Sequence, residues 1–127
     1  MRMSPIVPAL GALFLPLLLS TPGFAAADPA SGEKLFKAKC ALCHTVEPGK
    51  NKIGPSLAGI VGRPSGSIPG FKYSPANLAA NLTWDEATLD KYLIDPKAMI
   101  KGTTMPFPGD KNDAERADLV AYLKTLK

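Results

Sequence analysis

Apolar residues near the carboxyl end of the chain recur at the spacing of a helix. They stand at positions i, i+3, i+4 and i+7, and they are Leu119, Tyr122, Leu123 and Leu126. Residues at this spacing share one helix face, so we expect a terminal helix with an apolar stripe. Asn112 or Asp113 can cap its first turn, because a short polar side chain accepts hydrogen bonds from free backbone N–H groups.

An earlier helix is expected to begin at Asp28–Pro29 or at Ser31, because these residue types favour the first positions of a helix. It runs to Cys40, with Phe36 one turn earlier on the same face. We expect the terminal stripe to pack on this helix.

Between these two helices the pattern changes several times. The stretch 46–74 is rich in Pro and Gly and reads as a long ordered loop, which in a compact domain is usually functional. A short helix is predicted over 74–81, and a second over 83–95, opened by a capping-box pattern and ended by a proline. A brief helix over 96–100 follows, closed by Gly102. These elements predict an all-α domain of four to five short helices with long loops.

The amino-terminal segment has the form of a secretory leader. Arg2 precedes an apolar run of 14 residues, 6–19, and Ala25–Ala27 has the small-residue form of a cleavage site. The alternative is a retained membrane anchor, but spanning a bilayer takes about 20 apolar residues, and prolines interrupt this run. We therefore expect residues 1–27 to be removed and residues 28–127 to form one exported domain without stable membrane insertion.

The charge of the chain is mildly basic. Removal of the leader leaves 14 Lys and Arg against 11 Asp and Glu, a net charge of +3. The sequence shows no phosphate-binding loop, no paired-carboxylate site and no basic cluster interleaved with aromatic residues. Nucleic-acid partners are therefore not expected.

The segment from Cys40 to His44 holds both cysteines and the only histidine of the chain. Cysteines three apart followed by His are typical of covalent attachment of a c-type haem, with two thioethers and an imidazole ligand to iron. A thioredoxin-like redox pair would require a βαβ pattern nearby. A zinc site would need further ligands, and a structural disulfide would leave His44 unexplained.

An electron-carrying haem also needs a sixth iron ligand, and the chain has no second histidine. The candidates are Met99 and Met105. Met99 stands at helical spacing, which is typical of a core residue, whereas Met105 stands in a short segment between Gly102 and Pro106. A rigid loop suits a weak thioether ligand, so Met105 is the predicted ligand.

From about residue 32 to residue 126 the sequence resembles the class I c-type cytochromes, of the branch that contains mitochondrial cytochrome c and the periplasmic cytochromes of purple bacteria. The matching segments, in order, are Cys40–Glu47, Gly54–Leu57, Gly62–Arg63, Pro69–Tyr73, Thr83–Trp84, Tyr92–Leu93, Gly102–Met105 and Asp118–Leu123. The resemblance implies the class I cytochrome c fold around one covalently bound haem.

The resemblance also implies roles for single residues. Cys40 and Cys43 would attach the haem, His44 and Met105 would bind its iron, and the Pro55 carbonyl would accept the ring proton of His44. The residues expected around a buried haem propionate are Arg63, Tyr73, Trp84 and Thr103, and those expected near the Met105 sulfur are Asn77 and Tyr92.

The function implied is that of an exported periplasmic electron carrier, a monomer and not an enzyme. It would meet acidic redox partners transiently and in a salt-sensitive way through Lys39, Lys52, Lys97 and Lys111. The alternative is a haem enzyme or gas-binding sensor in which Met105 is easily displaced.

Overall fold

The computed structural model describes residues 26–127. The predicted leader lies outside these residues, apart from Ala26 and Ala27. No helix in the described part of the chain combines the length and the apolar character needed to cross a membrane.

The described residues form five helices and no strand, beyond an isolated bridge between Pro64 and Thr83. The helices are α1 (Pro29–Lys39), α2 (Pro75–Ala79), α3 (Glu86–Ile94), α4 (Pro96–Met99) and α5 (Asp113–Leu123). The predicted all-α class with four to five short helices is therefore confirmed.

The first and last helices pack directly on each other, as the apolar stripe predicts. The rings of Phe36 and Tyr122 lie 5.5 Å apart, and Leu119 is almost completely buried. Gly32 makes the close crossing possible, because a Cβ atom at this position would lie 1.9 Å from the carbonyl oxygen of Asp118. The Asp28 side chain caps α1 by accepting the N–H of Ala30 at 3.0 Å.

The terminal helix α5 ends at Leu123, so Leu126, the last residue of the predicted stripe, lies beyond it. Three further differences from the sequence prediction concern the ends of the other helices. Asp85, rather than Thr83, caps α3 by accepting the N–H of Thr88 at 2.7 Å, because Thr83 lies in the bridge with Pro64. The helix α2 ends at Ala79, and Asn81 follows in a left-handed conformation with φ of 50° that cannot continue it.

The third difference concerns α1, which ends at Lys39, so that Cys40 is its C-cap. The N–H groups of Cys43 and His44 both donate to the carbonyl of Cys40, at 3.1 and 2.9 Å. The cysteine–histidine segment is therefore a turn that follows the helix, rather than its last turn.

Arg116 links α3 and α5 in the interior. Its guanidinium is buried and donates to the carboxylates of Asp90 and Asp113 and to the carbonyl of Asp110. A buried guanidinium requires such partners, because an unpaired charge away from water would cost several kcal/mol. This network holds the segment that precedes α5 against the helices.

Candidate functional site

A cavity of about 440 Å³ lies inside the domain, and all nine predicted site residues line it. They are Cys40, Cys43, His44, Pro55, Arg63, Tyr73, Trp84, Thr103 and Met105. Apolar side chains, including Leu57, Ile60 and Leu119, form much of the remaining wall. A cavity of this size and character suits a largely apolar cofactor with a few polar contacts.

Both cysteines line the cavity. The N–H of Cys40 donates to the carbonyl of Phe36 at 2.8 Å, so α1 fixes the start of the turn. Neither cysteine is in a disulfide, and both side chains are partly buried. Burial raises the pKa of the Cys40 thiol to about 11, so this thiol is protonated at neutral pH.

His44 projects from the same turn and is held by a single strong hydrogen bond. Its Nδ1 donates to the carbonyl of Pro55 at 2.7 Å, which leaves Nε2 free to bind a metal. Burial lowers the pKa of the ring, despite the bond to Pro55, and so favours the neutral ligating form.

Gly54 is a residue of the site that sequence reasoning left without a role. A Cβ atom at Gly54 would lie 2.4 Å from Cε1 of His44 and less than 3 Å from both ring nitrogens. Only glycine leaves room for the imidazole in this position. Gly54 directly precedes Pro55, the predicted partner of the His44 ring, and this position could have indicated its closeness to the ring.

Met105 stands on the segment 100–112 between α4 and α5, here called the methionine loop. The N–H of Met105 donates to Thr103 Oγ1 at 3.3 Å, and the hydroxyl of Tyr92 donates to the Met105 sulfur at 3.5 Å. Met99, at the end of α4, packs against the core cluster and does not line the cavity. Of the two candidate ligands, the structure brings only Met105 to the residues around His44.

Polar residues also line the cavity. The hydroxyl of Tyr73 accepts the N–H of Ile68 at 3.0 Å, and Arg63 Nη1 donates to the carbonyl of Ala58 at 3.0 Å. Burial lowers the pKa of the Arg63 guanidinium, although it is expected to stay charged at neutral pH. A partly buried cation of this kind favours an anionic group beside it.

Two further observations test whether a haem fits here. Asn77 Oδ1 is buried at the cavity and accepts no hydrogen bond from any described residue, so the Asn77 amide is available to a polar group inside the cavity. The buried indole of Trp84 packs on Tyr92, with ring centroids 4.8 Å apart, and also lines the cavity. The cavity therefore offers two thiols that can form thioethers, a neutral imidazole, the Met105 sulfur and the Arg63 cation. This set of groups fits a haem with its propionates.

The structure does not support a zinc site or a thioredoxin-like redox pair at the two cysteines. Within residues 26–127 no cluster of three or more His, Cys, Asp or Glu side chains is arranged to hold a metal ion, as a zinc site would require. The same residues contain no βαβ unit for a thioredoxin-like pair.

Comparison with known proteins gives the decisive observation. The family model described as Cytochrome c matches residues 29–127, nearly all of the described chain. The chain belongs to the cytochrome c family. It is a class I c-type cytochrome, an electron carrier and not an enzyme, and its cofactor is haem c bound covalently.

Relatives of two kinds support this membership. Cytochrome c of Nigella damascena is 53% identical over 100 residues, covering 78% of this chain and 90% of the relative. Cytochrome c2 of Rhodomicrobium vannielii is 51% identical over 110 residues, covering 86% and 87%. Cytochrome c2 of Rhodopila globiformis is 48% identical over 100 residues, covering 79% and 94%.

Asp110 anchors the methionine loop of this cytochrome at its far end. Its carboxylate accepts Lys39 Nζ at 2.7 Å and the N–H of Asn112 at 2.9 Å, and its own N–H donates to the carbonyl of Leu93 at 2.8 Å. Burial acts to raise the pKa of the Asp110 carboxyl, but the hydrogen bonds outweigh it and hold that pKa below its ordinary value. The loop is thereby joined to α1 and α3.

Replacement of Asp110 by Asn should therefore destabilise the folded state. We expect a loss of about 1–2 kcal/mol at neutral pH, because the Lys39 ammonium loses its buried partner. Because the folded-state pKa of Asp110 is depressed, its contribution is present at neutral pH and disappears as the pH falls through that pKa. Denaturant unfolding at neutral and acid pH measures both effects.

Glu115→Gln is the matched control, since Glu115 binds the same lysine at 2.8 Å from a more exposed position. It should cost less than about 0.5 kcal/mol, as exposed ion pairs usually do. Equal losses for the two variants would contradict the anchoring function of Asp110.

Proposed function

We propose that this chain is a periplasmic electron carrier that passes single electrons between membrane redox complexes. One observation carries the proposal: Cys40, Cys43, His44 and Met105 line a single, largely apolar cavity. The bound haem supplies the one-electron chemistry by cycling its iron between the ferrous and ferric states. The protein supplies attachment, ligation and electrostatics.

Each residue of the site has a separate task in this proposal. Cys40 and Cys43 attach the cofactor through thioethers, and His44 and Met105 provide the two iron ligands. The bond from His44 to Pro55 orients the ring and makes it a better donor. The bond from Tyr92 to the Met105 sulfur restrains the thioether, which is a weak ligand that a mobile chain would release.

The polar part of the wall holds a haem propionate in the same proposal. Tyr73, Trp84 and Thr103 would donate hydrogen bonds to it, and Arg63 would compensate its charge. A carboxylate buried without such partners would cost several kcal/mol. The partly buried Arg63 is the strongest support for this placement.

The proposed location rests on the leader-like segment 1–27 and on the bacterial relatives. An apolar run too short to span a bilayer, followed by Ala25–Ala27, is typical of export and cleavage. The domain would then be residues 28–127, a monomer in the periplasm. Expression in a bacterial host, with separation of periplasm from cytoplasm, tests the location.

Docking to redox partners would use exposed lysines, but the four candidates differ in how free their charges are. Lys39 is bound to both Asp110 and Glu115, so much of its charge is already offset. Lys52 donates to the carbonyl of Ala41, and Lys111 donates to the carbonyl of Ile94, which leaves their charge uncompensated. Lys97 is exposed at the start of α4. We therefore assign most of the docking charge to Lys52, Lys97 and Lys111.

Charge reversal at Lys97 should slow electron transfer to an acidic partner. We expect Lys97→Glu to lower the second-order rate several-fold at low ionic strength, with the difference fading above about 0.5 M salt as screening shortens the Debye length. Stopped-flow reduction of a cytochrome oxidase at several salt concentrations measures this. Lys34→Glu, which makes the same change of charge at an exposed residue of α1 outside the four candidates, is the control. Equal slowing by both variants would contradict a localised docking surface.

Absorption spectra of the purified protein in both redox states test the function itself. A low-spin c-type spectrum with the ferric methionine band is expected. A high-spin ferric spectrum that shifts readily with added ligand would contradict the proposal and favour the gas-binding alternative.

A further inference from the structure

The backbone nitrogen of Asp28 lies where a cut after Ala27 would create a new amino terminus. Its N–H donates to the carboxylate of Asp118 on α5, with a distance of 2.7 Å from N to Oδ1. Ala27 and Asp28 are both exposed, so the peptide bond between them is open to solvent. A carboxylate of α5 is therefore in contact with the atom that leader removal would charge.

We propose that cleavage of the Ala27–Asp28 bond creates an ion pair between the new α-ammonium group of Asp28 and Asp118, and that this pair fastens α1 to α5. The inference rests on the leader removal included in the proposed function. In the cut, a leader peptidase adds one water molecule across the amide. Ala27 takes the oxygen and leaves as a carboxylate, and the Asp28 nitrogen takes both protons and becomes an ammonium group.

The position of the new charge makes a partner necessary. The amino-terminal end of a helix carries a partial positive charge, so an ammonium group beside the first turn of α1 is unfavourable by itself. The side chain of Asp28 is already engaged, because it accepts the hydroxyl of Ser31 and the N–H of Ala30, and these bonds lower the pKa of its carboxyl. Asp118 is the carboxylate that remains for the ammonium group, and Lys34 is the other charged group whose field reaches Asp28.

The ion pair acts on the contact that positions the haem attachment turn. Among the described helices α1 packs on α5 alone, and Cys40 follows directly at the end of α1. Gly32 keeps the two helices in backbone contact one turn from Asp28. Cleavage after Ala27 thus adds an ion pair between α1 and α5, at the amino-terminal end of α1.

The test uses the exported, haem-loaded protein. Mass spectrometry should find a mature chain that begins at Asp28. In a comparison of the mature protein with Asp118→Asn, the substitution should lower Tm by up to about 5 °C near pH 6, since the pair is exposed. The pairing raises the pKa of the α-amino group in the folded state, so this difference should fade as the pH rises through that titration.

Glu33→Gln is the matched control, because it removes one carboxylate from α1 that pairs with Lys37 rather than with Asp28. Its effect on Tm should stay constant over the pH range in which the α-amino group titrates. Nitrogen-15 NMR of the amino terminus gives a second measurement, with a higher α-amino pKa in the wild type than in Asp118→Asn.

Two results would overturn the inference. One is an exported, haem-loaded protein that begins at another residue. The other is an Asp118→Asn difference in Tm that does not change with pH. A chain that keeps its leader would instead contradict the leader removal included in the proposed function, so the two failures are distinguishable.

Discussion

Replacement of Met105 by Ala should abolish the ferric methionine band and lower the reduction potential. The cavity brings Met105, and not Met99, to the residues around His44, so no other thioether within residues 26–127 can take its place. We expect a fall on the order of 0.1 V or more, since axial ligands tune haem potentials over about 0.8 V. Added imidazole should bind about tenfold more tightly or better, because no protein ligand has to leave first. Spectroscopy, redox titration and ligand titration measure these effects.

Met99→Leu is the control for this experiment. Met99 is partly buried against the core, and Leu is close to it in volume, so the band and the potential should stay unchanged. A variant without Met99 that loses the band, or a variant without Met105 that keeps it, would overturn the ligand assignment.

Replacement of Gly32 by Ala should strongly destabilise the folded state. The added methyl group would lie 1.9 Å from the Asp118 carbonyl oxygen and 2.8 Å from Cβ of Tyr122, and the nearer of these atoms is α5 backbone. Relief requires the two helices to separate, which uncovers the contact of Phe36 with Tyr122. We expect a loss of about 3 kcal/mol or more, a large share of the 5–15 kcal/mol typical of a domain. Denaturant unfolding followed by circular dichroism measures it.

Lys34→Ala serves as the control, since Lys34 is exposed on the same helix. Its effect should lie within about 0.5 kcal/mol of zero, as is usual for surface positions. A Gly32→Ala protein with nearly wild-type stability would show that the helices cross more loosely than the structure indicates.

The elements with a strong local signal were predictable from the sequence. The apolar stripe of the terminal helix predicted both α5 and its packing on α1, because apolar residues at helical spacing mark the buried face of a helix. The boundaries of α2 and α3 were less predictable. Thr83 has the residue type of a cap but is taken by the bridge with Pro64, a contact that no local pattern encodes.

The same division applies to the site. The cysteines and His44 are close together in sequence, so haem attachment can be predicted from their spacing. The residues that support them come from elsewhere: Gly54 leaves space for the His44 ring, and Asp110 meets Lys39 across 71 positions. Such functions depend on the shape of the folded chain, which spacing alone does not determine. The local motif alone would not have predicted all nine residues that line the cavity. Several of them were predicted only because the sequence resembles a known family.

The packing of α1 on α5 constrains the order in which the parts of the domain can fold. Among the described helices α1 has no other partner, so it cannot dock until the last segment of the chain is available. Closing so long a loop is slow, because its entropy must be lost before the contact stabilises anything. The turn that carries Cys40 and Cys43 follows α1 directly, so it takes its final place late in folding, only after α5 has formed.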